Sequence, residues 1–360
     1  MNDVARPEPQ DHVFPGERQL RLFDGRISLK IPVRPMAIST VLLLSALLVA
    51  FADLSMGAYS IPVPQIWKAL AGDATDRVRM VVIEWRLPRI AAALLFGAAL
   101  GVSGAVFQSL TRNPLGSPDI VGFDAGAFAG VLLVMVFVGT SPYEVMAGAL
   151  GGGILTAGAV YLIAQGTTGL RFVLVGIGIG VMLSAINTWM LTVTRLEIAM
   201  SAAFWGAGSL DGMDMERLLP VAAMLAAFLA GMAGLHRSIR QLELGDDVAL
   251  SLGVPVRAVR IAMLVIAGAL TAIVTAAAGP IGFVALSAPQ LARRLAGTPG
   301  IPLAASAAMG ALLLSASDLV ATHLFAPTKL PVGLVTVSGG GAYLVWLLLR
   351  EASRSRKLSA

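Results

Sequence analysis

The sequence predicts an all-α polytopic membrane protein of about ten transmembrane helices, and three observations carry that prediction. Apolar residues make up 57% of the 360-residue chain and charged residues only 13%, against roughly 25% charged in ordinary soluble domains. A soluble protein of this length needs more polar surface, so the chain belongs in lipid. Apolar runs of spanning length recur along it, and a helix needs about 20 residues to cross a hydrocarbon core of about 30 Å. Glycine reaches 39 residues while aromatics are 6%. Small residues let membrane helices approach closely, where van der Waals packing replaces the hydrophobic effect. Packed helices are therefore expected, not a lone anchor.

Residues 1–35 carry Arg6, Arg18, Arg21, Arg26, Lys30 and Arg34 among several prolines and read as a disordered cytoplasmic arm. The arm is too long and proline-broken for a cleaved signal peptide, and no small-x-small site follows the apolar core at 41–52. Nine apolar runs then follow, at 36–54, 89–110, 119–138, 143–164, 170–192, 218–235, 258–278, 303–324 and 331–349. A tenth is concealed in the apolar stretch 258–297, roughly twice one span. Gly279-Pro280 divides it, because proline lacks the donor that a continuing helix needs. Its second piece, 281–296, is short and expected to kink at Pro289. The reading gives a transmembrane domain over 36–350, with a cytoplasmic loop at 241–257 and a tail at 351–360.

Ten spans with the amino terminus inside put 18 of the 26 Lys and Arg residues on inner segments. That bias matches the positive-inside rule and places both termini in the cytoplasm. Nine spans would leave either the basic arm or the tail with Arg354, Arg356 and Lys357 on the wrong side. The net charge of +5 thus reflects topology, and no nucleic-acid partner is expected.

The most informative stretch is 86–130, RLPRIAAALLFGAALGVSGAVFQSLTRNPLGSPDIVGFDAGAFAG. Arg86 and Arg89 open a spanning run. The polar turn Thr111-Arg112-Asn113-Pro114-Leu115-Gly116-Ser117-Pro118 closes it. A second run has glycines four apart at Gly122, Gly126 and Gly130. Two close-packed helices joined by a rigid hairpin suit a transport pore better than a passive anchor. On physics alone, Arg86 and Arg89 snorkel to headgroups and set helix depth; the alternative is a cationic dock for an acidic partner.

The loop QLELGDDVALSLGVPV is the second signature. Asp246 and Asp247 are placed to cap and favour a short helix through Leu252, Gly253 to end it, and Pro255 to prevent its continuation. Its apolar stripe needs lipid or a partner to bury it. Lipid-surface helices are usually basic, and this one starts acidic, so a groove on another protein is the better cover. Trp205, Gly208, Ser209 and Leu210 form a third group, read either as an interfacial aromatic anchor or as part of a pathway. Gln108, Asp124, Asn187 and Asp318 are the main polar residues within or near spans, where an ionisable group implies function or helix pairing. Asp124 is expected near the inner surface, half-solvated.

These motifs resemble the iron–siderophore and vitamin B12 permease (FecCD) family of ATP-driven importers. Its G-x-x-x-Q-x-x-x-R-N-P-L hairpin reads here as Gly104, Gln108, Arg112, Asn113, Pro114 and Leu115. The resemblance implies the type II ABC importer permease architecture and a bacterial cytoplasmic (inner) membrane location. It also implies that R-x-x-R, here Arg86 and Arg89, contacts glutamates of a periplasmic or lipid-anchored substrate-binding protein. The family's A-x-x-L-G loop, here Ala249, Leu252 and Gly253, sits on an ABC ATPase dimer. Its W-x-x-G-S motif, here Trp205 to Ser209, lines the outer mouth of the pathway, and Asp318 matches a family aspartate.

The chain departs from the pattern in three places. Thr322 stands where family members commonly carry an arginine, Lys329 where they carry a glutamate, and Gln290 where they carry a histidine after Pro289. His323 or Lys329 is the charge available to complete the dock. The segments Leu244-Gly245-Asp246-Asp247 and Leu330-Pro331-Val332-Gly333-Leu334-Val335 look most like the catecholate, enterobactin-type branch. That branch uses two different permeases, so a second permease subunit is an expected partner. A cobalamin or haem permease of the same build is the alternative.

Other classes fit poorly. Cysteine is absent, which excludes disulfides and thiolate metal sites. His12, His236 and His323 lie far apart, so no metal site, cofactor or catalytic set is expected. No Gly-x-x-x-x-Gly-Lys-Ser/Thr loop occurs, which places ATP hydrolysis on a separate subunit. A secondary carrier needs a midplane ion or proton site, and the sparse carboxylates supply none.

Overall fold

The computed structural model describes residues 17–22, 27–57, 59–119, 121–165, 169–298 and 300–358. Two strands, β1 (Glu17–Leu22) and β2 (Ile27–Pro32), pair antiparallel with Leu20 opposite Leu29. This hairpin stands where the sequence predicts an irregular arm; residues 1–16 and 23–26 of that arm lie outside the described residues.

Among the described residues, every regular element after it is a helix. The helix α1 (Val33–Ser55) leads to the short helices α2 (Val63–Ala71) and α3 (Asp76–Arg79). A π-helical turn at Met80–Arg86 joins α3 to α4 (Leu87–Thr111), making one 36-residue rod. Then come α5 (Phe123–Phe137), α6 (Pro142–Ile163), α7 (Leu170–Val193), α8 (Leu196–Gly206) and α9 (Met215–Gly234). The loop region holds α10 (His236–Leu242) and α11 (Asp246–Ser251). The chain finishes with α12 (Val256–Ala278), α13 (Val284–Ala296), α14 (Leu303–His323) and α15 (Val332–Leu358).

Each of the ten expected segments is helical, but not all are long enough to span. Among the described residues seven helices are long and apolar enough to cross a membrane; α5 (Phe123–Phe137) is a shorter apolar helix, and Val332–Trp346 is an apolar stretch of α15. Helix α13 has only 13 residues. Length explains the difference, because the chain enters α5 and α13 through irregular segments that use up part of each apolar run. Residues 351–358, read as a tail, continue α15.

Helix α4 is the hub of the core. Phe96, Leu100, Val106 and Phe107 are fully or almost fully buried along it. Its glycines meet α14 and α13 backbone to backbone. A Cβ on Gly97 would lie 2.3 Å from the Gly310 carbonyl oxygen, and one on Gly101 would lie 2.1 Å from that of Ser306. The glycines four apart do the same for α5 and α6, where Gly126 and Gly130 face Gly152 and Gly148. Small-residue contact of this kind is how helices associate where lipid supplies no hydrophobic drive. Two ends of the bundle can be told apart: the loop end, with α10 and α11, and the mouth end, where α4 begins and α14 finishes.

Candidate functional site

Distant motifs of the sequence converge at the α4–α5 hairpin. Arg112 ends α4 in the left-handed conformation (φ 49°) and donates its backbone N–H to Ser109. Asn113 turns its side chain back, so that its Oδ1 accepts the Leu115 N–H at 2.9 Å. Gln108 donates Nε2 to the Leu286 carbonyl at 2.9 Å, and Gln290 donates Nε2 to the Pro114 carbonyl at 2.7 Å. The amides of two helices thus reach across in opposite directions and tie the hairpin to α13. Gly104 makes this approach possible, since a Cβ there would lie 1.7 Å from the Ala285 carbonyl oxygen. Gln290, the departure from the family histidine, serves as a donor. Pro289 lies buried inside α13.

Asp124 corrects the sequence reading. Its Oδ1 accepts the Thr275 hydroxyl at 3.1 Å. Thr275 lies about 28 Å along α12 from its start at 1.5 Å per residue. The segment after the hairpin therefore climbs back into the bundle, and Asp124 is not at the loop-end surface. Asp119, on the same segment, accepts the Phe283 backbone N–H at 3.2 Å. Asn187 donates Nδ2 to the Ala125 carbonyl at 2.9 Å.

The mouth end carries a charged cavity of about 470 Å³ lined by Asp53, Arg86, Arg89, Asp211, His323 and Lys329. Arg89 binds Asp318 through two nitrogens, Nε at 3.0 Å from Oδ2 and Nη2 at 2.7 Å from Oδ1. Their side chains are 12% and 1% exposed. Thr322, standing where the family arginine is expected, receives another Arg89 hydrogen bond. Arg86 turns inward too, donating to the Leu54 and Tyr59 carbonyls at 2.7 Å each. Lys329 pairs with Asp211 at 2.7 Å, and Arg89 Nη1 lies 3.6 Å from the same carboxylate. His323 Nε2 lies 2.9 Å from Asp53 Oδ1.

The two arginines therefore do not project as a free pair. Sequence reasoning missed Asp53 and Asp211 and took Thr322 only as a missing charge; these three hold His323, Lys329 and Arg89 in place. Asp211 had a usable signal: it lies two residues beyond Ser209, whose Oγ accepts the Asp211 N–H at 3.1 Å. Trp205 stacks on Phe128 with ring centroids 6.0 Å apart, so its ring packs within the protein. Gly208 and Ser209 lock onto the break between α12 and α13: Ser209 N donates to the Ala278 carbonyl at 2.7 Å. A Cβ on Gly208 would lie 2.1 Å from the Pro280 carbonyl oxygen.

At the loop end, α11 forms as expected and Gly253 (φ 82°) turns the chain beyond it. The capping differs. Gly245 is the N-cap and no side chain caps the helix. Asp246 instead accepts from Arg112 at 3.1 Å and from Arg260 at 2.6 Å, while Asp247 lies in the first turn. Charge attraction to two guanidiniums outweighs a capping bond. Ala249 is fully buried, whereas Leu244, Val248, Leu250 and Leu252 are exposed. Pro255 precedes α12 as its N-cap.

A close-packed membrane bundle with a charged mouth at one end and an exposed apolar helix at the other is the build of a transport permease. The FecCD transport family matches residues 43–350. The ferric enterobactin transport system permease protein FepG of Escherichia coli (strain K12) is 49% identical over 324 residues, covering 89% of this chain and 98% of that protein. The hemin transport system permease protein HmuU of Yersinia pestis is 32% identical, covering 89% and 97%. A solved structure, an inward-facing conformation of a metal-chelate type ABC transporter, superposes with a TM-score of 0.78 at 29% identity. That match covers 88% of this chain and 99% of the other. The chain belongs to the FecCD transport family, and it is a multi-pass membrane permease.

Proposed function

We propose that this chain is the membrane-spanning subunit of a binding-protein-dependent ABC importer for a ferric siderophore of the catecholate, enterobactin type. The 49% identity with FepG across 98% of that permease carries the reading. Ten membrane crossings in the type II importer arrangement, through the inner membrane with both termini cytoplasmic, complete it. The loop end then faces the cytoplasm and the mouth end the periplasm.

Arg86, Arg89 and Lys329 serve as the dock for a periplasmic or lipid-anchored substrate-binding protein. Lys329 is half exposed and pairs, among the described residues, with an exposed carboxylate, which suits exchange onto an acidic partner; buried Arg89 holds the rim in shape. Helix α11, with Asp246, Asp247, Ala249, Leu252, Gly253 and Pro255 in and around it, carries the ATPase stroke. An ABC ATPase dimer buries Val248 and Leu252. The clamp of Gly104, Gln108, Arg112, Asn113, Pro114 and Pro289 relays the motion inward, to Trp205, Ser209 and Asp318. A second permease subunit, identical or homologous, completes the pathway, which alternates between inward and outward access.

Radio-iron uptake by an iron-starved deletion strain tests this, with and without the gene restored. Loss of ferric-catecholate uptake alone supports the reading. Normal uptake of that chelate with loss of haem or cobalamin import assigns the same fold to another cargo.

A further inference from the structure

Two cavities adjoin at the loop end. One, of about 640 Å³, is lined by Arg112, Arg257, Arg260, Tyr161 and Asp246. The other, of about 520 Å³, is an apolar groove between α6, α9 and α12 that includes Ile154, Gly158, Phe228 and Val265. Tyr161, Ile261 and Leu264 line both, so the basic cavity opens into the groove. Ile154 and Val265 are exposed, which leaves the groove open sideways to hydrocarbon.

The charges of the basic cavity do not balance. Arg112 and Arg260 share the single carboxylate of Asp246. Exposed Arg257 has no ion pair among the described residues. Three guanidiniums against one carboxylate leave a surplus of positive charge, placed where lipid headgroups lie. The groove follows α12 from Ile261 to Ile273, about 18 Å at 1.5 Å per residue. One leaflet is half of a core of about 30 Å, so that length suits one acyl chain.

We propose that these cavities form one site for an anionic phospholipid of the loop-end leaflet. The phosphate sits among Arg112, Arg257 and Arg260, and one acyl chain lies along α12. Basic pockets between membrane helices select anionic headgroups in this way. A free phosphate would satisfy the arginines but leave the groove empty, and a neutral lipid would fill the groove but leave the surplus charge. The occupant also competes with Asp246 for Arg112 and Arg260. Because Asp246 is the first residue of α11, lipid binding and the position of that helix are linked, each altering the other by the same factor.

The test uses the full chain with its partner subunits in phosphatidylcholine nanodiscs doped with phosphatidylglycerol, with retained lipid read by native mass spectrometry. Phosphatidylglycerol should be retained in preference to phosphatidylcholine. Arg257→Gln should lower that preference about fivefold, the effect of one basic residue near an anionic surface; Arg257→Lys should largely keep it. Gly158→Phe should abolish retention with all three arginines intact. A Cβ at Gly158 meets nothing within 4 Å, so an unchanged unfolding temperature is expected for it. Equal retention of the two lipids overturns the headgroup pocket, and retention unchanged in Gly158→Phe overturns the acyl groove. A parallel arm adds inorganic phosphate to phosphatidylcholine discs. Equal thermal stabilisation of wild type and Gly158→Phe by phosphate overturns the lipid in favour of a free anion.

Discussion

Arg89 clasps Asp318 with Nε and Nη2, 3.0 and 2.7 Å from the two carboxylate oxygens, and so ties the start of α4 to α14. The carboxylate is 1% exposed. An ion pair this deep contributes less through its own attraction than through the penalty for breaking it.

Removing one partner strands the other charge out of water, at a cost of about 3–5 kcal/mol. Arg89→Met and Asp318→Leu should each lower the unfolding temperature of the solubilised protein sharply. The double variant should be more stable than either, because apolar replacement of both partners is often neutral. Additive losses in this double-mutant cycle would show that the pair does not act as a unit.

Gln290 makes a second prediction. Its amide is the donor that reaches the Pro114 carbonyl at 2.7 Å. Gln290→Leu removes that hydrogen bond; Pro114 is exposed, so water can take up its carbonyl, and the cost is that of one hydrogen bond, about 0.5–1.5 kcal/mol. Gln290→His restores a ring N–H at similar reach and should recover most of the loss. Thermal unfolding of the two variants side by side decides it. Equal destabilisation would mean that size, not donation, matters at this position.

The helices were legible in the sequence because each is a local property: an apolar run of known length, a glycine or proline at its end. The hairpin at 111–118 and the short helix before Gly253 were legible for the same reason. The site was legible only in its parts. Gln108 and Gln290 were each singled out, yet nothing local says that both reach across the same α4–α13 contact. Arg89 was read as a free cation because its partner, Asp318, comes from another helix. Asp124 was misplaced because the chain after Pro118 climbs back into the bundle, which shortens α5. Asp246 was read as a cap because the competing arginines come from α4 and α12. Contacts between elements, not patterns within them, account for every one of these differences.

A paired glycine substitution tests the packing argument. Gly104→Ala forces a Cβ to 1.7 Å from the Ala285 carbonyl oxygen, so α4 and α13 must part. Overpacking of this kind costs typically 1–3 kcal/mol, and here it also pulls Gln108 away from Leu286. Gly158→Ala places its Cβ in open space and should be neutral or gain up to about 1 kcal/mol from helix propensity. Uptake should fail in the first and persist in the second. Full uptake by Gly104→Ala would show that the close approach of α4 and α13 is dispensable.

The last prediction concerns α11, whose two faces differ. Ala249 points into the bundle and is fully buried, while Val248 and Leu252 are 44% and 55% exposed, one helical turn apart. A turn that keeps such residues in water has no folding reason to do so, but a partner groove would bury both. Leu252→Asp therefore should leave the permease folded, with an unchanged unfolding temperature when purified alone. It should weaken association with the ATPase at least about 30-fold, the equivalent of one hot-spot residue of ~2 kcal/mol. Asp246→Asn, which loosens α11 from Arg112 and Arg260, should act differently. Association should persist, because the exposed apolar face is untouched. Stimulation of ATP hydrolysis by loaded binding protein should fall, since the helix no longer pulls on α4 and α12 through those arginines. Co-purification measures the first effect and ATPase stimulation in nanodiscs the second. Wild-type affinity in Leu252→Asp would remove α11 as the docking helix, whatever Asp246 does.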